Sequence, residues 1–363
     1  MADPVQIDFG LLKELVDDHT ISKIMVNGPH DIYFERSGKL EKVPLSFESS
    51  DQLLLVINQI LSPLGCHVDE GSPMAVARLP DGSRLHAIIP PLALNGPTLT
   101  IRKLAEFVVT FDNLLAWMSL NEDIADFLRA CVEARLNIIV AGGVNSGKTT
   151  LVNTIASAIP PGERIVTIEE RAEFRLPKEH VVTLESRPPD VEGKGGITVR
   201  DLVITCPHMR PDRILVGELS GPEVFEVLRL MDKGYDGTIT AVFANSPQEA
   251  LERIEMTVKM NAPNFPVSYL RSLIGSAVDL IVQQNRLEDG SRRVVRVTEV
   301  LLERGDDYDL HDVFVFQWDR FDKETGRVVG KFEGRPVSLG LMRRMEARRI
   351  ALPPSLVPAM EEG

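Results

Sequence analysis

The 363-residue chain is poor in cysteine, with only Cys66, Cys131 and Cys206. Three thiols so widely spaced build neither a disulfide framework nor a thiolate metal site, and this economy suits a reducing cytosol. Positive charge is also short. Against 53 Asp and Glu stand 40 Lys and Arg, a formal net charge of −13, so no chain-wide basic field exists to hold nucleic acid or an anionic membrane. Aromatic residues make up 6% and do not interleave with basic ones as in single-strand-binding grooves, so no nucleic-acid partner is expected. Long apolar runs are missing too. The longest uncharged stretch, His86 to Ile101, is broken by Pro90, Pro91 and Pro97 and falls short of the roughly eighteen apolar residues of a membrane span. With no basic-then-apolar leader at the N-terminus, any membrane connection is expected to run through partners. The one basic cluster, Arg343, Arg344, Arg348 and Arg349, reads as a helix face that is solvated or in subunit contact.

What the chain does have is apolar material for two cores, at 44% hydrophobic residues. Up to about residue 105 the pattern is α+β. Asp51 to Leu61 is a helix with Leu53, Leu54, Ile57, Ile60 and Leu61 on one face, and Asp31–Glu35, Ala75–Leu79, Arg84–Ile89 and Thr98–Lys103 are strands. Pro80-Asp81-Gly82-Ser83 supplies a hairpin turn, and a boundary is expected near Glu106. From Leu114 onward helical patterns alternate with short apolar strands at Asn137–Ala141, Arg164–Ile168, Arg213–Val216, Thr238–Val242 and Leu280–Gln283. Such alternation predicts an α/β domain whose parallel strands are covered by helices on both faces. Ser246-Pro247-Gln248-Glu249 reads as a capping box, and Gly221-Pro222 opens a helix that Gly234 closes. After Arg292, short strands and a helix from about Ser338 to Arg348 read as a peripheral subdomain, about 292–363.

Gly142-Gly143-Val144-Asn145-Ser146-Gly147-Lys148-Thr149 fits G-x-x-x-x-G-K-[ST] between a predicted strand and a helix-forming segment, Thr150 to Ala158. In that setting Gly142 and Gly147 let backbone N–H groups turn toward phosphate oxygens, and the helix end adds positive potential. Lys148 reaches the β- and γ-phosphates, and Thr149 places its hydroxyl on Mg²⁺. The residues from Gly142 to Thr150 are therefore the expected ATP site, with Thr149 the metal-directed group.

Hydrolysis needs carboxylates near the terminal phosphate. Glu169 and Glu170 follow Val166-Thr167-Ile168, and Glu218 follows Ile214-Leu215-Val216-Gly217. Parallel strands would deliver all three to the phosphate-loop edge. Carboxylates at strand ends also serve as solvated caps, but two such strands in one phosphate-loop domain favour the catalytic reading for Glu169 and Glu218.

With these motifs the chain resembles the secretion ATPases of type II and type IV systems and type IV pili, most of all the tight-adherence (Flp) pilus branch, the CpaF-like proteins. The resemblance runs from about residue 8 to 357. It is carried further by Ala77-Arg78-Leu79-Pro80-Asp81-Gly82-Ser83-Arg84, Ile88-Ile89-Pro90-Pro91, Leu99-Thr100-Ile101-Arg102-Lys103, Pro188 to Gly195 and Met209-Arg210-Pro211-Asp212-Arg213. It implies a hexameric ring, a homo-hexamer or one mixed with a paralogue, a small PAS-like N-terminal domain joined to a RecA-like ATPase domain, nucleotide held between them, and an inner-membrane platform protein as partner. It also implies Glu169 in an acidic motif, Glu218 in the Walker B motif, and Arg84 and Arg102 as phosphate contacts; salt bridges or a hairpin surface are the other roles open to those arginines.

The chain departs from that branch at several positions. Phe243 and Tyr235 stand where histidines are usual, Glu170 where aspartate is, and Ile204, His208 and Ser220 where arginines are. Neither aromatic ring transfers a proton as imidazole does. The leading expectation is a motor ATPase. The rivals are a hydrolysis-impaired nucleotide-binding paralogue that regulates such a motor, a nucleic-acid motor, which the acidic charge disfavours, and a small-molecule kinase, for which no lid motif is recognisable.

Overall fold

The computed structural model describes residues 7–36, 39–103, 108–189, 193–302 and 308–357. The boundary expected near Glu106 and residues 190–192 of the Pro188–Gly195 string lie outside them. The chain forms two compact units, Met1–Phe107 and Val108–Gly363.

The first unit is a six-stranded antiparallel sheet made of β1 (Ile21–Asn27), β2 (Ile32–Arg36), β3 (Lys39–Lys42), β4 (Met74–Arg78), β5 (Arg84–Ile88) and β6 (Thr98–Arg102), in the order β3-β2-β1-β6-β5-β4. Helix Ser50–Leu61 starts where Ser49 accepts from the Gln52 amide, and it buries Leu53, Val56, Ile57, Ile60 and Leu61. The β4–β5 hairpin turns at Gly82, φ 87°, with Asp81 accepting from the Ser83 amide at 2.8 Å. The central strand β1 has no clean alternation in the sequence because its register slips between Ile21 and Lys23; a bulge of this kind erases the period of two. Cross-strand pairing sets Arg78 opposite Arg84, Arg84 opposite Arg102 and Arg102 opposite Lys23, a row of four cations across four strands.

The second unit is built on nine strands: β7 (Ile138–Gly142), β8 (Ile165–Glu169), β9 (Val181–Glu185), β10 (Arg213–Leu219), β11 (Ile239–Phe243), β12 (Leu280–Arg286), β13 (Arg292–Leu302), β14 (Tyr308–Asp322) and β15 (Arg327–Gly334). Their order is β15-β14-β13-β12-β7-β11-β10-β8-β9. The six from β12 to β9 are parallel, and β13 to β15 continue the sheet antiparallel. This is the α/β class with a parallel core that the strand–helix alternation predicts.

Helices cover both faces. Glu122–Glu133, Lys148–Ala156 and Leu339–Ala347 pack on one, around Phe127, Val140, Leu151 and Phe314. Glu223–Asp232, Pro247–Asn261 and Val267–Ala277 pack on the other, around Ile139, Val216, Leu228 and Leu251. The stretch after Arg292 is better described as part of this body: its strands are long, they share the main sheet, and Val297, Phe314, Leu341 and Met345 enter the same core as Val140. Pro247–Asn261 starts as expected at Ser246, but the return arm of the box is shifted, since Glu249 accepts from the Asn245 amide rather than that of Ser246. In the basic cluster, Arg344 pairs with Asp279 and donates to the Arg135 carbonyl, while Arg348 donates to the Ala134 carbonyl and pairs with Asp236. These two arginines hold the last helix to the body.

Candidate functional site

The carboxyl ends of the parallel strands form one edge of the second unit. Register sets Phe243, Gly142 and Gln284 side by side at the ends of β11, β7 and β12. The loop from Gly142 to Gly147 leaves this edge, and helix Lys148–Ala156 begins at Gly147. Two residues take left-handed backbone, Asn145 at φ 59° and Gly147 at φ 95°, the alternation that turns successive amides inward to form an anion-binding concavity. Gly142 has no room for a side chain, since a Cβ there would lie 2.3 Å from Ser146 Oγ and 2.5 Å from the Gln284 carbonyl. Ser146 is 1% exposed, and its Oγ has no partner among the described residues. A buried unpaired hydroxyl beside a concavity of amides under a helix N-terminus fits a phosphate group.

Lys148, nearly buried, donates to the Gly143 carbonyl at 3.1 Å and forms an ion pair with Glu218 at 3.1 Å. That pairing depends on an irregularity in β10. Leu215 is level with Ile239 and Glu218 with Ala241, so Val216 and Gly217 together oppose Thr240 alone, and Thr240 Oγ1 donates to the Gly217 carbonyl at 2.9 Å. Side chains alternate along a strand, so one extra residue moves those beyond it to the other face. The bulge therefore brings Glu218 to the face carrying Lys148–Ala156; without it, Glu218 would share the face of Val216.

Glu169 ends β8 beside Gly217, which would set a Cβ 3.5 Å from its Cα. Its carboxylate does not point at the lysine but turns back to accept from the amides of Glu173 at 2.9 Å and Phe174 at 3.1 Å. Burial pushes its pKa up to about 7, the two amide donors opposing. Glu170, next along, is exposed.

Phe243 lies in the cation cluster, its ring centroid 5.4 Å from Lys148 Nζ and 4.8 Å from Arg253 Cζ; Arg253 is held by Glu249 at 2.8 Å. Ser220 also lies at this edge, where its amide donates to the buried Glu223. Tyr235, Ile204 and His208 do not. They precede β11 and β10, so they belong to the opposite, amino edge, and Tyr235 packs against the second core face. Parallel strands have a single carboxyl edge. Within the chain, therefore, only Phe243 and Ser220 of these five substitutions alter the phosphate-loop side.

Two contributors carry no sequence motif. Arg292, at the start of β13, donates from Nε to the Asn145 carbonyl at 3.0 Å, and Gln284 lies under the loop with Oε1 buried and unpaired among the described residues. Only strand register reveals them, that of β12 on β7 for Gln284 and that of β13 on β12 for Arg292.

A family model described as type II/IV secretion system protein matches residues 5–299. The chain belongs to this family. Among its curated relatives, the type IV secretion system protein PtlH of Bordetella pertussis is 32% identical over 321 residues, spanning 80% of this chain and 93% of PtlH. VirB11 of Agrobacterium fabrum is 29% identical over 300 residues, 74% and 86% of the two chains. A putative conjugal transfer protein of Mycobacterium tuberculosis is 30% identical over 294 residues, 79% and 83% of the two. Of solved structures, the pilus retraction motor PilT with bound ADP has a TM-score of 0.58 at 17% identity, covering 85% of this chain and 83% of its own. The Legionella pneumophila ATPase DotB has 0.55 at 18%, covering 81% and 80%. At such identities the likeness is one of fold. Among the described residues of this secretion-family member, no helix is long and apolar enough to cross a membrane.

Proposed function

We propose that the chain is an ATP-binding and ATP-hydrolysing motor of the tight-adherence (Flp) pilus branch of its family, working as a homo-hexamer on the cytoplasmic side of the inner membrane against a platform protein. The observation that carries the reading is the Lys148–Glu218 ion pair at the mouth of the Gly142–Thr149 loop. It joins the cation that a triphosphate needs to the carboxylate that a magnesium shell needs, on one face of one sheet.

In this reading the inward amides of Gly143 to Thr150 and Lys148 Nζ hold the β- and γ-phosphates. Thr149 Oγ1 and Glu218 would hold Mg²⁺, which would supply screening of the charge that develops on the transferred phosphoryl group. Glu218 is held by the lysine until nucleotide arrives. Glu169, with its carboxyl near neutrality in pKa, is suited to take a proton from water once its amide contacts loosen. Tyr235, His208 and Ile204 on the amino edge are assigned to the boundary with a neighbouring subunit.

One observation favours a second reading, a nucleotide-binding paralogue with impaired hydrolysis. Phe243 occupies the position beside Lys148 where the branch carries histidine, and it offers a ring face to two cations instead of a titratable nitrogen. Phosphate release by the full chain with Mg-ATP, compared with Lys148→Ala, tests both readings. Release well above the variant supports the motor. Nucleotide binding with release no higher than the variant supports the impaired paralogue, and absence of binding overturns both.

A further inference from the structure

Arg292 lies 144 positions beyond Lys148 in the chain, outside every motif, yet its side chain rests on the phosphate loop. The reason is topological. Gln284 of β12 is level with Gly142 at the end of β7, so Asn285 and Arg286 run past the sheet edge, and the hairpin returns with Arg292 opposite Arg286. The turn is tight, with Asp289 accepting from the Ser291 amide and hydroxyl. Its return strand thus starts above the loop. Arg292 Nε donates to the Asn145 carbonyl at 3.0 Å, and its Cδ fills the space in front of Gly147, where an added Cβ would lie only 2.9 Å away. Gly147 is thus glycine both for its positive φ and for the arginine stem laid across it.

Among the described cations in contact with the phosphate loop or with Phe243 beside Lys148, Arg292 is set apart. Lys148 is paired with Glu218 and Arg253 with Glu249. Arg292 has no carboxylate partner among the described residues, and its one hydrogen bond uses Nε. Both terminal nitrogens of the guanidinium therefore remain to be engaged, beside a loop that carries left-handed backbone at Asn145 and Gly147 and the unpaired Ser146 hydroxyl. A guanidinium held through Nε keeps its positive charge and its remaining donors beside the loop, where phosphate oxygens can accept from them.

We propose that Arg292 is a nucleotide-binding residue of this chain, supplying in cis a positive charge to the phosphate tail of the bound nucleoside triphosphate while it braces the loop through Asn145. This rests on the reading of the Gly142–Thr149 loop as an ATP site. It places a cation on the loop where the chain has lost arginine at Ser220 on the same edge.

The test is calorimetric titration of the full-length chain, and of Arg292→Gln and Arg292→Lys, with a non-hydrolysable ATP analogue, ADP and inorganic tripolyphosphate, each with Mg²⁺. Loss of one charge-assisted contact predicts affinity for the analogue and for tripolyphosphate about tenfold or more weaker in Arg292→Gln, with most of it restored in Arg292→Lys and a smaller change for ADP. Thermal unfolding without ligand checks that both variants fold. Unchanged affinity in Arg292→Gln overturns the proposal. So does Arg292→Lys as weak as Arg292→Gln, because Arg292 would then be a brace for Asn145 only. If the unsubstituted chain binds none of the three ligands, the reading of the loop itself fails and this inference with it, a result distinct from a defect confined to the variants.

Discussion

Glu218 Oε2 lies 3.1 Å from Lys148 Nζ, and a single extra residue in β10 puts them on the same face of the sheet. The carboxylate is half exposed while the lysine is nearly buried, so the pair acts mainly to hold both groups in position; exposed ion pairs add little to stability. If a triphosphate binds as proposed, each partner must leave the other, and this exchange sets the first expectation.

Glu218→Gln removes the carboxylate that competes with phosphate for Lys148 but keeps the side-chain shape. Binding of an ATP analogue without Mg²⁺ is expected to be retained or tightened, while phosphate release falls by about 10² or more, the usual contribution of a positioned acid–base or metal-directed group. Paired binding and turnover measurements check this. Turnover close to that of the unsubstituted chain would remove Glu218 from the chemistry.

Glu169 gives a pH signature. Its folded pKa of about 7 stands above the ordinary 4.5, so the folded chain favours the protonated carboxyl. The corresponding stability is fully present below about pH 4.5 and is lost as pH rises through about 7; for a shift of this size it amounts to roughly 3 kcal/mol. Glu169→Gln keeps an oxygen to accept from the Glu173 and Phe174 amides but does not titrate. The difference in unfolding free energy between the two chains is therefore expected to change in favour of the variant from about pH 5 to pH 8. Denaturant melts across that range measure it, and a flat difference would show that Glu169 is not held protonated.

Phe243→His restores a titratable nitrogen between Lys148 and Arg253. Both cations oppose its protonation, so the imidazole is expected to be neutral at pH 7 and able to act as base or donor. Phosphate release is expected to rise several-fold, with binding of the ATP analogue little changed. Equal or lower release in Phe243→His would show that the aromatic ring, not the missing imidazole, suits this chain's chemistry.

Gly142→Ala inserts a methyl group 2.3 Å from Ser146 Oγ and 2.5 Å from the Gln284 carbonyl. One contact is with backbone, which cannot move aside without disturbing β12, so a loss of about 2 kcal/mol or more and failure to bind nucleotide are expected. Thermal unfolding and analogue titration on the same preparation read both effects.

The phosphate loop was legible in the sequence because its chemistry is local: the glycines, the lysine and the following hydroxyl are fixed by one turn of backbone between a strand and a helix. Five of the six parallel strands were legible for the same reason, each being a short apolar run between turn signals; β9, at the sheet edge and only half-buried, was not. Strand β1 was not, since its bulge breaks the alternation that marks strands. The shared sheet beyond Arg292 was not legible either, because the sequence shows strands but not which neighbours they pair with.

Residue type and spacing alone thus determined an α/β chain, the loop from Gly142 to Thr149, and the strand ends that carry Glu169 and Glu218. The aim of each side chain was decided by the folded sheet. A two-against-one bulge turns Glu218 toward Lys148, burial and two amides turn Glu169 away from it, and the register of β12 on β7 lays Arg292 across the loop. These are consequences of pairing between strands distant in the chain, where a shift of one residue exchanges the two faces of a sheet.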